Sequence, residues 1–190
     1  MINLAIFASG SGSNAENISK YFEGNPNVKI ASIISNKADA FVHERAKKLN
    51  IESKTFTKKQ FDSTSDVLEY LENKDIDFII LAGFLLKVPD NLLATYPDKI
   101  INIHPALLPK FGGKGMYGDN VHKAVVASGE NESGITIHYI NENYDEGAII
   151  FQAKCEVLPS DTYEDVAAKV HALEYEYFPK VIDDILKKHS

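Results

Sequence analysis

Four short apolar runs constrain the fold more than anything else in this chain. They are Ile2–Ala8 (INLAIFA), Lys29–Ser35 (KIASIIS), Asp77–Ala82 (DFIILA) and Ile100–His104 (IINIH). Each is too short for a core helix and apolar at consecutive positions, as in strands covered on both faces. Segments with helical spacing separate them: Asn14–Phe22, Asp39–Leu49 and Ser63–Asn73, with a short helical turn at Pro89–Ala94 and a short edge strand at Thr55–Thr57. Strands alternating with helices at this spacing predict an α/β fold, a Rossmann-like, doubly wound and mostly parallel sheet. In such sheets ligands bind beyond the carboxyl ends of the strands. The residues that follow each run are therefore the first candidates for function.

The fourth run ends in polar groups. Asn102 and His104 lie two residues apart, so on an extended chain both side chains project from one face. Pro105 follows at once and stops the ladder by removing an N–H donor. An amide donor beside a proton-transferring imidazole suits a reaction that builds negative charge on a carbonyl oxygen. A pair satisfied by its own local backbone is the competing explanation. The first run ends in Ser9-Gly10-Ser11-Gly12-Ser13-Asn14 and opens a helix whose unpaired N–H groups favour an anion. Gly10, Gly12 and Ala15 also match the dinucleotide fingerprint, but the acidic residue it requires after the second strand is missing, because Asp39 comes too late. A monophosphate is expected there rather than a nicotinamide dinucleotide.

The second half changes character. Pro109–Asn120 (PKFGGKGMYGDN) holds four glycines in twelve residues and reads as a loop at the edge of the site, followed by a helix at Val121–Ser128 carrying His122 and Lys123. Gly134–Ile140 (GITIHYI) alternates with period two, Asn141–Gly147 (NENYDEG) is a polar turn, and Ala148–Glu156 is a second strand, together an antiparallel hairpin. Asp145 sits in that turn, where a charged side chain is ordinarily solvated. Asp161–Lys188 has helical periodicity, Pro179 is expected to kink or interrupt it, and Glu174 reads as a surface residue of that helix.

Composition narrows the classes. With 190 residues and a net charge of −7, a general nucleic-acid surface is disfavoured. A single cysteine, Cys155, allows no intrachain disulfide and fits a reducing compartment. No run is long enough to span a bilayer, and MINLAIFASG has no charged leader, so a cytoplasmic protein is expected. No compact His/Cys set implies a metal.

SGSGSN, SNKADAF, LAGF, NIHPALLPKF, the GITIHYINENYDEGAII hairpin and EYEYFP occur in an order and spacing that resemble the phosphoribosylglycinamide formyltransferase family. NIHPALLP alone resembles the wider 10-formyltetrahydrofolate formyltransferase and hydrolase group. Within it, methionyl-tRNA formyltransferases carry a further C-terminal domain, deformylases usually an extra N-terminal regulatory domain, and a hydrolase needs no phosphate loop. The resemblance implies one formyltransferase domain over residues 1–190, with a phosphate-binding half to about residue 100 and a folate and catalytic half beyond it. It implies 10-formyltetrahydrofolate as formyl donor, glycinamide ribonucleotide as acceptor, no metal, no nucleic acid, no membrane, and a monomer or weak homodimer.

By the same resemblance, Asn102, His104 and Asp145 are catalytic, Gly12, Ser13 and Asn14 hold the substrate phosphate, and Glu174 contacts the glycinamide portion. The folate lies against Leu85, Leu86, Lys87 and Val88, the Asn141–Asp145 turn and Asn102, and Leu108–Pro109 is a cis peptide. Two departures stand out: the family often has Met-Arg after LAGF where this chain has Leu85-Leu86, with Lys87 one place later, and the Gly112–Asn120 loop is longer and richer in glycine. The alternatives are a 10-formyltetrahydrofolate hydrolase, or a non-catalytic nucleotide-binding module, for which Asn102, His104 and Asp145 would lie apart.

Overall fold

Strand β1 (Ile2–Phe7) has parallel neighbours on both edges, β2 (Val28–Ser35) and β4 (Phe78–Leu81), and β2 pairs in parallel with β3 (Ser53–Thr55). The computed structural model describes residues 1–143 and 145–189 and divides into two units, Met1–Ile101 with His189, and Asn102–Lys188. Strand β5 (Ile100–His104) starts in the first unit and ends in the second. The strand order is β3-β2-β1-β4-β5 in the first unit. Leu4, Ile6, Phe7, Ile33, Ile34, Ile79 and Ile80 are all fully buried, which is why these runs are apolar at consecutive positions.

The helices of the first unit are α1 (Ser13–Tyr21), α2 (Val42–Lys48), α3 (Lys58–Ser63), α4 (Asp66–Asn73) and α5 (Asp90–Thr95). Three boundaries in this unit differ from expectation by more than one residue. Helix α2 starts at Val42 rather than Asp39, because Ala40 N–H closes a turn onto Lys37 O and Val42 N–H donates to Gly10 O. The edge strand is Ser53–Thr55, and Thr57 instead caps α3 through a reciprocal box with Gln60. The helix expected over Ser63–Asn73 is broken at Thr64, whose extended backbone lets its hydroxyl accept from Asp66 N–H.

In the second unit β5 is followed by β6 (Glu132–Tyr139) and β7 (Ile149–Glu156), which pair antiparallel, in the order β5-β6-β7. Helix α6 (Asp119–Ser128) and the long α7 (Tyr163–Lys187) pack on each other, and α7 packs on β6. A Thr162–Asp165 box caps α7. Pro179 does not interrupt it: the ring is buried on the same stripe as Val166, Val170, Phe178, Ile182 and Ile185, so packing offsets the one lost backbone bond. Leu108–Pro109 is cis. Among the described residues no helix is long and apolar enough to cross a membrane.

Candidate active site

The end of β5 delivers Asn102 and His104 to one face, and His104 is only 4% exposed. On β6, Thr136 and His138 also share a face and are fully buried. Asp145 arrives from the hairpin turn, where the Asn141 side chain accepts from Asn143 N–H and Asp145 itself adopts a left-handed backbone, φ 56°. Tyr144, within the turn expected to meet the folate, lies outside the described residues.

Hydrogen bonds fix which atoms can move protons. His138 Nδ1 lies 2.8 Å from Tyr139 O, an acceptor only, so Nδ1 carries the proton. His138 Nε2 is then an acceptor, 3.0 Å from Asn102 Nδ2. This orients the Asn102 amide: one Nδ2–H donates to His138 and the second is left to point elsewhere. Burial pushes the His138 imidazole below its ordinary range, against the hydrogen bond to Tyr139 and the charge of Asp145, so the ring stays neutral as the network requires.

His104 is arranged the other way round. Its Nε2–H donates to Phe111 O at 2.7 Å, and Nδ1 lies 3.5 Å from Asp145 Oδ2. Nδ1 is therefore the nitrogen that gains and releases a proton, on the side of the carboxylate. Asp145 Oδ2 accepts from Gly113 N–H at 2.9 Å, and Oδ1 lies 3.7 Å from His138 Nε2. Asn102, His104 and Asp145 thus converge, although Asp145 comes from a turn more than forty residues later.

His138 was not singled out from the sequence. The signal was there: Thr136 and His138 repeat on β6 the two-residue polar spacing of Asn102 and His104 on β5.

Glu174 is not an ordinary surface residue, since its side chain is 12% exposed and accepts from His171 Nδ1 at 3.0 Å. That hydrogen bond raises the His171 pKa. His122, on α6, is buried with no partner for Nδ1 among the described residues, and burial lowers its pKa while the charge of Glu174 opposes the shift. Lys123 does not join them; its ammonium lies over the Tyr163 ring.

In the first unit the Ser9–Asn14 loop is held from behind. Arg45 Nε donates to Ser11 O at 2.8 Å and pairs with Glu16, while Val42 N–H donates to Gly10 O. Gly12 is left-handed, φ 72°, and an added Cβ would fall 2.2 Å from Val42 Cγ2, so no other residue fits there. The loop joins the segment after β4: Ser9 N–H donates to Gly83 O, and Leu85 N–H donates to Ser9 Oγ at 2.9 Å. Val88 is buried, Leu86 half-buried, and Leu85 and Lys87 exposed. Among the described residues no group of three or more His, Cys, Asp or Glu is placed to hold a metal.

An amide and an imidazole from the end of one strand, met by a carboxylate from a hairpin turn, is the arrangement of an enzyme of acyl-transfer type. The chain belongs to the formyl transferase family, whose model matches residues 2–182. It is 39% identical over 191 residues to the chloroplastic phosphoribosylglycinamide formyltransferase of Arabidopsis thaliana, covering 97% of this chain and 65% of that one. The phosphoribosylglycinamide formyltransferase of Haemophilus influenzae is 37% identical, with 96% and 86% covered. The solved glycinamide ribonucleotide transformylase of Geobacillus kaustophilus superposes with a TM-score of 0.89 at 34% identity, covering 98% of this chain and 99% of that one.

Proposed function

We propose that this protein transfers the formyl group of 10-formyltetrahydrofolate to the primary amine of glycinamide ribonucleotide in purine synthesis. The single observation that carries the mechanism is the meeting of Asn102, His104 and Asp145, with the Asn102 amide turned by a neutral His138. A module that only binds nucleotide leaves that convergence without a role.

The substrate amine attacks the formyl carbon, a new C–N bond forms, and the carbonyl electrons move to oxygen. The free Nδ2–H of Asn102 donates to that oxyanion. The attacking nitrogen gives up its proton and the folate nitrogen takes one as its bond to carbon breaks. His104 Nδ1, beside Asp145, stabilises the charge and carries or relays the proton. The products are tetrahydrofolate and the formylated amide. Gly12, Ser13 and Asn14 hold the phosphate, Glu174 contacts the glycinamide portion, and Asn141 and Asp145 join Leu85–Val88 and Asn102 in holding the folate.

The N-terminal half, to about residue 100, serves the phosphate and the C-terminal half the chemistry, as one formyltransferase domain. We place the protein in the cytoplasm, as a monomer or weak homodimer. The test is a spectroscopic assay with both substrates and separate detection of formate. Formylated ribonucleotide supports the transferase; formate alone makes the protein a hydrolase.

Two binding results are expected. Asn14→Leu removes a donor beside the helix N-terminus, so its KM for the ribonucleotide should rise about tenfold or more while that for the folate stays near wild type. Equal losses for both ligands would move the phosphate elsewhere. Leu86→Ala should change folate affinity by less than about threefold, because the backbone groups of Leu86 and Val88 survive the substitution. A larger loss in a titration would assign the binding to the side chain.

A further inference from the structure

We propose that Thr136 and Gln152 are positioning residues that set the proton-transfer geometry of His104 and Asp145 through the Ala106–Gly113 turn. The proposal rests on the formyl-transfer reading for its kinetic test, but not for its spectroscopic one.

The turn touches both catalytic groups with its backbone. Phe111 O accepts from His104 Nε2, and Gly113 N–H donates to Asp145 Oδ2. Gly112, between them, is wedged against the same carboxylate residue: a Cβ there would fall 2.6 Å from Leu108 Cδ2 and 3.3 Å from Asp145 Cβ. A shift of Leu108 is therefore passed on to Asp145.

This turn is not at rest in its own conformation. Phe111 has φ 56°, a left-handed backbone that is strained for a bulky residue and persists only where neighbours over-determine it. Side chains of β6 and β7 hold the residues that lead into it. Thr136 Oγ1 accepts from Leu108 N–H at 3.0 Å, donates to Ala106 O at 2.7 Å, and accepts from Gln152 Nε2 at 2.9 Å. One donor and two lone pairs are all a hydroxyl has, so Thr136 is saturated, and it is fully buried. Gln152 Nε2 also donates to Leu108 O at 3.0 Å. Both backbone polar groups of Leu108 are thus held from the hairpin, three residues before the carbonyl that holds His104. A Val at position 136 has nearly the same shape, but it leaves Leu108 N–H and Ala106 O buried without partners, which the turn can relieve only by moving.

The test compares Thr136→Val, Thr136→Ser and Gln152→Met with the wild type, after thermal unfolding has shown that each is folded. Thr136→Val is expected to lower kcat about tenfold to a hundredfold, with KM for the ribonucleotide changed less than about threefold. Thr136→Ser restores most of the rate, and Gln152→Met falls between them.

The second measurement needs no substrate: nitrogen NMR of His104 across pH. In the wild type Nε2 keeps its proton throughout; in Thr136→Val the neutral ring becomes a mixture of tautomers, because the Phe111 carbonyl is no longer held in place. An unchanged tautomer together with unchanged kcat overturns the proposal. So does a loss of rate that Thr136→Ser fails to restore. If Thr136→Val does not fold, Gln152→Met decides by the same two readouts. A wild type that shows the tautomer lock but no formyl transfer refutes the functional reading and leaves the positioning intact.

Discussion

Asp145→Asn is expected to lower kcat by about 10²–10⁴-fold while both ligands bind with near-native affinity. The substitution keeps shape and the left-handed backbone, which Asn adopts as readily as Asp. An oxygen can still accept from Gly113 N–H, so the turn need not move. What disappears is the negative charge 3.5 Å from His104 Nδ1, where a proton arrives during the reaction. His104 Nε2 is already committed to Phe111 O, so the ring cannot use its other nitrogen instead. Because the loss falls on the proton path rather than on binding, single-turnover and steady-state rates should fall together. Near-normal turnover would remove Asp145 from the mechanism.

The sequence makes some of this site legible and hides the rest for definable reasons. Asn102 and His104 can be read because they interrupt a β-branched run with period two, a local signal. The alternation of β6 marks a strand, yet from the chain alone its polar positions could face solvent. In fact Thr136 and His138 are fully buried, because that face carries the network that turns Asn102 and holds the Leu108 turn. Asp145 and Glu174 look like surface charges, and only long-range packing brings one to His104 and covers the other.

The boundaries that moved did so through hydrogen bonds the local pattern does not encode, as where Gly10 O takes the Val42 N–H and fixes the start of α2. Thr57 is different: the T-x-x-Q capping signature was present and marks the start of α3.

Asn102→Asp tests the orientation of the amide as well as its role. Removing one preorganised donor to a developing oxyanion costs about 10²–10³ in kcat, and a carboxylate placed there also repels the charge the reaction creates, so a fall of at least 10²-fold is expected. The change has a second consequence, because Asn102 Nδ2 is the group facing His138 Nε2 at 3.0 Å. His138 Nδ1–H is held by Tyr139 O, so Nε2 would confront a carboxylate oxygen with only a lone pair. The pair is relieved when Nε2 takes a proton. Burial lowers the His138 pKa in the wild type, and the new charge opposes that shift together with Asp145, whose Oδ1 lies 3.7 Å away.

The His138 pKa should therefore rise in Asn102→Asp, with the ring protonated at pH values where the wild-type ring is neutral, as read by NMR titration. Asn102→Leu separates the two effects: it loses the rate in the same way but leaves His138 neutral. A His138 that titrates identically in Asn102→Asp and the wild type would mean that the side chain at position 102 does not face the His138 ring, and would remove the amide–imidazole contact from the mechanism.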